Sequence, residues 1–170
     1  MSYRVSSGLT GHEHTAADQA FRTDHDSRER SSKLTFLYLA GMSENAFVIP
    51  AVSRSEVVRL LDELAVAGHG GWSTGTRLFI WLMDEASGLY QDWEPEDIAN
   101  LEQAVGRRPE WAVQINYRLS RRADLAALAV VLLKNGGVAV DDFCSHVWTA
   151  AEIETDTVIS GGRFGEGPVR

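Results

Sequence analysis

Two stretches of this 170-residue chain hold residue types that could do chemistry. Between Asp84 and Glu102 lie Asp84, Glu85, Asp92, Glu94, Glu96, Asp97 and Glu102, with no Lys or Arg among them and with Tyr90 and Trp93 interleaved. Carboxylates steer a basic partner toward a surface, and aromatic side chains supply contact area once it docks. This stretch is therefore the candidate partner-binding surface. The competing explanation is structural: acidic residues in the first turn of a helix complement its macrodipole. A second basic-free run, Asp141, Asp142, Glu152, Glu154 and Asp156, would extend the same negative face if the fold brought the two together. The other stretch is Asp142-Phe143-Cys144-Ser145-His146. Cysteine catalysis needs a thiolate, a nearby histidine and a group that orients it. Cys144 and His146 have the residue types for a small catalytic or ligand site, beside Gln114, Asn116 and Arg118. No nucleophile motif or oxyanion loop surrounds them, and a lone cysteine more often packs as a small hydrophobe.

Other patterns carry less. His12-Glu13-His14 and Asp24-His25-Asp26 hold ligand-capable groups, but zinc needs three or four ligands in fixed geometry and HExxH is absent. Gly68-His69-Gly70-Gly71 has a helix before it and a strand after it, and no lysine, the reverse of a phosphate loop. It reads as a helix stop and turn. No metal and no cofactor are expected.

Charge narrows the classes. With 16 basic and 24 acidic residues the net charge is -8, which disfavours nucleic acid and anionic membrane as partners. In residues 1–33, Arg4, Arg22, Arg28, Arg30 and Lys33 balance Glu13, Asp18, Asp24, Asp26 and Glu29, so the whole excess falls in 34–170. No apolar run reaches the roughly 20 residues of a membrane span, no secretory leader is visible, and the single cysteine fits a reducing compartment. Cytoplasmic residence follows as the expectation.

These residues need elements to position them. Residues 1–33 are polar and serine-rich, which predicts a flexible tail. The single domain spans 34–160, and the glycines of 161–170 predict a flexible C-terminus. Leu34–Ala40 and Ala46–Ile49 have strand character, the second stopped by Pro50. Ser53 with Glu56 forms a capping box ahead of Val57, Leu60, Leu61 and Leu64 at helical spacing, a helix that Gly68, Gly70 and Gly71 end. Arg77–Met83 is a near-continuous apolar run, as in a strand covered on both faces. Pro95 opens a second helix that Gly106 ends. Trp111–Leu119 alternates with period two, so one sheet face is buried and the other is wet or meets a partner. Ser120 caps a third helix that runs to about Asn135, apolar throughout Leu125–Leu133 and so expected to be buried all round. Val138–Val140 is a short strand, Thr149 with Glu152 caps a short helix, and Thr157–Ser160 is a last strand. The paired Arg121 and Arg122 sit at a helix N-terminus, where cations are disfavoured and an acidic contact is called for. The pattern predicts an α+β fold: a mixed or antiparallel sheet with about three helices packed on it, the alternative being a small three-layer α/β domain.

One segment resembles a known group. The helix after Arg121, then Asn135-Gly136-Gly137, Val138-Ala139-Val140-Asp141-Asp142 and Trp148-Thr149-Ala150-Ala151-Glu152-Ile153, is similar to a segment of small bacterial proteins linked to polymorphic toxin systems, several of them immunity proteins. The resemblance covers Arg121–Ile153 alone and transfers no functional residue. It implies a cytoplasmic, non-enzymatic protein that binds a toxin and blocks its active site. The leading expectation is thus a small acidic interaction domain that occludes a basic protein partner. A small enzyme or ligand-binding domain at Cys144 and His146 is the alternative, and a homodimer joined through Trp-rich surfaces is a third.

Overall fold

The computed structural model describes residues 43–68, 70–159 and 162–166. The tail expected over 1–33, its histidines and the strand expected at Leu34–Ala40 lie outside these residues.

Among the described residues seven strands form one sheet, antiparallel at every pairing. They are β1 (Glu44–Pro50), β2 (Val66–Gly68), β3 (Gly71–Ser73), β4 (Phe79–Asp84), β5 (Trp111–Tyr117), β6 (Gly137–Asp141) and β7 (Cys144–Trp148), in the order β2-β3-β4-β5-β1-β6-β7. Four helices pack against it: α1 (Arg54–Leu64), α2 (Pro95–Val105), α3 (Arg122–Leu132) and α4 (Ala150–Glu154). The fold is α+β. The antiparallel ladders exclude the parallel three-layer alternative.

Strand alternation sorts the core into two parts. On the first face Ala46, Val48, Ile80, Val113, Ile115, Tyr117, Ala139 and Trp148 pack under Val57 and Leu61 of α1, Leu125, Leu128, Ala129 and Leu132 of α3, and Ile153 of α4. On the second face Ile49 and Ala112 pack with Leu89 and with Leu101 of α2, with Phe47, Met83, Trp93, Val138, Val140 and Val147 around them. The face of β5 expected to be wet is therefore partly covered. Ala112 is buried beneath the α2 region, and only Gln114 and Asn116 stay half-exposed.

Local signals explain the boundaries. Ser53 Oγ accepts from the Glu56 N–H while the Glu56 carboxylate accepts from the Ser53 N–H, a complete capping box on α1. Thr149 and Glu152 repeat it on α4. Pro95 starts α2, and Gly106, with φ 79°, ends it in the left-handed region.

Four expectations are corrected. The glycines at 68–71 do not stop a helix, because α1 already ends at Leu64; they bracket the tight β2–β3 hairpin, where Gly71 lies so near Ile80 and Trp81 that no Cβ fits. The third helix is not buried all round: it starts at Arg122, after a 3-10 turn over Leu119–Arg121, and Val131 is 41% exposed because sheet and α4 cover one side only. Of the apolar 77–83 run only Leu78 and Ile80 are fully buried. Of the strand expected at Thr157–Ser160, the described residues 157–159 show only an isolated bridge from Ile159 to Gly162.

Residues 162–166 pack onto the domain, with Phe164 only 1% exposed. Its ring meets Trp148 edge-on at 6.1 Å, and its carbonyl accepts from Arg122 Nε at 2.8 Å. The odd arginine pair finds its acids here. Arg122 pairs with Asp156 and Glu166, while Arg121 pairs with Asp124 at 3.7 Å.

Candidate functional site: an acidic, aromatic cleft

The two acidic runs meet on the second face of the sheet. The loop before α2 and its first turn bring Asp92, Trp93 and Asp97, and the β6–β7 turn brings Asp141, Asp142, Phe143, Cys144 and Ser145. Phe47 and Val140, paired across β1 and β6, lie between them. Together these residues line a cleft of about 300 Å³ with three aromatic rings and no basic side chain; Asp92, Asp97 and Asp142 supply its carboxylates, while the buried Asp141 carboxylate turns to the other face, toward Gly165.

The walls are held by identifiable contacts. The Asp142 carboxylate accepts from the Asn45 backbone N–H at 2.8 Å and from its side-chain amide at 3.1 Å. Gln114 and Asn116 in turn donate to the Asn45 side-chain oxygen at 3.0 and 3.3 Å. The amide row on the half-covered face of β5 thus orients Asp142 rather than forming a site of its own. Trp93 is wedged between Phe47 and Tyr90, with edge-on ring contacts at 5.1 and 5.5 Å. Asp97 sits in the first turn of α2, where the helix dipole favours its charge. One of its carboxylate oxygens, Oδ1, is buried without a hydrogen bond.

Asp141 is the one polar residue counted as buried among the described residues, at 9% exposure. Burial pushes its carboxyl above the usual carboxylate range, against three backbone N–H groups that favour the charged form.

Only part of the expected binding surface lies at the cleft. Asp92, Trp93 and Asp97 line it, and Glu94 and Glu96 are exposed beside it at the start of α2. The Asp84 carboxylate is occupied by the Ser87 hydroxyl and N–H and by Arg54 at 3.2 Å, which together hold it below the ordinary aspartate range. Glu85 opens the short 3-10 turn after β4. Tyr90 donates its hydroxyl to the Pro109 carbonyl at 2.6 Å under the Arg108 guanidinium, 4.5 Å from the ring centre. Glu102 pairs with Arg108 at 3.8 Å. The second run also divides: Glu152 and Asp156 are engaged by His146 and by Arg122 and Arg163 instead. Phe47 and Phe143 had no sequence signal, since nothing local marks a β1 residue as the neighbour of a β6–β7 turn.

The side chains of Cys144 and His146 have different neighbours. Burial raises the thiol above its usual value, and Sγ lies 3.8 Å from Asp141 Oδ1. A nucleophilic cysteine needs the opposite shift. His146 Nε2 lies 3.4 Å from Glu152 Oε1, and its ring meets Trp148 edge-on at 4.7 Å. Among the described residues no three His, Cys, Asp or Glu side chains are grouped to hold a metal ion, and no helix is long and apolar enough to cross a membrane.

No family model matches the chain, and neither does any curated protein or solved structure. The cleft's chemistry is therefore the guide to function.

Proposed function

We propose that this chain is a protein-interaction domain that docks a basic partner in the cleft between the α2 start and the β6–β7 turn. The observation that carries this reading is the convergence of Asp92, Asp97 and Asp142 with Phe47, Trp93 and Phe143 in one concavity. Carboxylates at the rim steer a cation inward, and aromatic faces beside them favour an Arg or Lys side chain over a neutral one. A partner anchored there would have its own basic site covered. That is the occlusion expected of a cytoplasmic bacterial immunity protein acting on a toxin, in keeping with the resemblance of Arg121–Ile153.

The test compares two triple variants of equal charge change. Asp92→Asn, Asp97→Asn and Asp142→Asn neutralise the cleft; Glu63→Gln, Glu110→Gln and Glu154→Gln neutralise exposed residues elsewhere. An arginine-rich peptide serves as probe, followed by titration calorimetry and by the Trp93 indole N–H resonance at low and raised ionic strength. Neutralising the cleft should cost roughly tenfold in affinity and flatten the salt dependence, as loss of close charge pairs does. Equal loss in both triples, or an unmoved Trp93 resonance, would refute the assignment.

A further inference from the structure

Asp141 divides its two carboxylate oxygens between separate parts of the chain. Oδ1 accepts from the Phe143 N–H at 2.9 Å and the Cys144 N–H at 3.3 Å, and so shapes the turn that forms one wall of the cleft. Oδ2 accepts from the Gly165 N–H at 2.9 Å, in a hydrogen bond that is itself buried. Gly165 belongs to residues 162–166, a strap laid over the first face of the sheet. The strap is pinned by the Phe164 ring against Trp148, by Arg122 on the Phe164 carbonyl and on Glu166, and by Arg163 on Asp156. Gly165 itself has φ 70°, and a Cβ there would sit 2.6 Å from Leu125 and 3.2 Å from the Tyr117 hydroxyl, so the strap fits only with glycine at this point.

A buried carboxylate is tolerated when its oxygens are satisfied. Here satisfaction requires turn and strap at once. Withdrawing the strap removes the Oδ2 donor and the cover over it, so the charged carboxylate gains by turning toward water, taking the turn with it.

We propose that residues 162–166 act as a clamp on the cleft: seated, they hold Asp141 and through it the β6–β7 turn, and released, they let the turn and its cleft wall open. The coupling stands apart from any partner. Its effect on docking rests on the reading of the cleft given above.

Native-state hydrogen exchange on the full wild-type chain tests the coupling directly. The Gly165, Phe143 and Cys144 amides should open as one unit, with a common opening free energy and denaturant dependence. Opening of Gly165 while Phe143 and Cys144 remain protected would overturn the clamp. Arg122→Gln, which removes the Arg122 guanidinium contacts to Phe164 and Glu166 and touches no cleft residue, gives a second readout. Cys144 is the single cysteine, so its alkylation by iodoacetamide reports the turn. The variant should speed alkylation roughly tenfold while the Val113 amide of β5 keeps its protection. Unchanged alkylation with a fast-exchanging Gly165 would again overturn it. The arginine-rich peptide separates the two readings: an opened turn with unchanged peptide affinity would leave the clamp standing and remove the cleft as the docking site.

Discussion

At the scale of single residues, Asp141 is held under tension between burial and hydrogen bonding. Burial wins, and its carboxyl stays above the usual range. The folded protein therefore binds this proton more tightly than the unfolded chain does. Stability from this residue rises as pH falls through the folded-state value and is lost as pH rises past it. An Asp141→Asn variant cannot take up that proton. Urea unfolding at steps from about pH 7 down to about pH 4, the ordinary aspartate value, should show wild type gaining on the variant as pH falls. A constant difference would mean that Asp141 is not the group responsible. Asp142, one position on, faces the cleft with both its donors supplied by Asn45. The sequence shows the Asp-Asp pair but not this division of labour, because strap and β1 reach it from far along the chain.

Among the elements, α2 matters most to the cleft, since it carries Asp97 and follows directly on Trp93. Its one fully buried residue is Leu101, packed with Ile49, Leu89 and Ala112. Leu101→Ala should cost about 2–5 kcal/mol by the usual penalty for emptying a buried leucine site, read from the urea midpoint. It should also weaken peptide binding if α2 positions the cleft. Ser53→Ala removes one arm of the capping box on α1, remote from the cleft, and should cost about 1 kcal/mol with peptide affinity unchanged. Elements with local punctuation were legible in the sequence: both capping boxes, Pro95 and Gly106 around α2, and the alternation of β5. The β2–β3 hairpin was not, because a glycine cluster signals a chain reversal without saying whether helix or strand flanks it. The strap was not either. Glycine content there suggested freedom, while the side chain that anchors it, Phe164, finds Trp148 only in three dimensions.

At the scale of the whole molecule, the carboxylates divide into two groups by the sign of their response to pH. Glu56, Asp84 and Glu152 are held below their ordinary range, by Ser53, by Ser87 and by the Thr149 N–H respectively. Their contributions are present above the unfolded carboxylate values and are lost as pH falls through the lower folded ones, below about pH 4. Asp141 responds in the opposite sense at higher pH. Thermal unfolding followed from neutral to acid pH should therefore show a shallow gain before the acid loss. Replacing Asp141 with Asn should abolish the gain and leave the loss. The α+β class was legible because strand and helix periods alternate along the chain. The cleft was not, because its walls come from segments about 50 residues apart, a separation that composition and spacing do not bridge.

The strand order has a consequence in time. The first described strand, β1, lies inside the sheet, and both its neighbours, β5 and β6, come much later in the chain. On a ribosome adding about 5–20 residues per second, β2, β3 and β4 can pair as they emerge, while β1 waits several seconds for β5 and longer for β6. Throughout that interval its apolar Ala46, Val48 and Ile49 have no ladder to join. The last third of the chain closes the sheet around the first described strand, so a nascent chain stalled before Trp111 would present an open, sticky edge to chaperones and to other copies of itself.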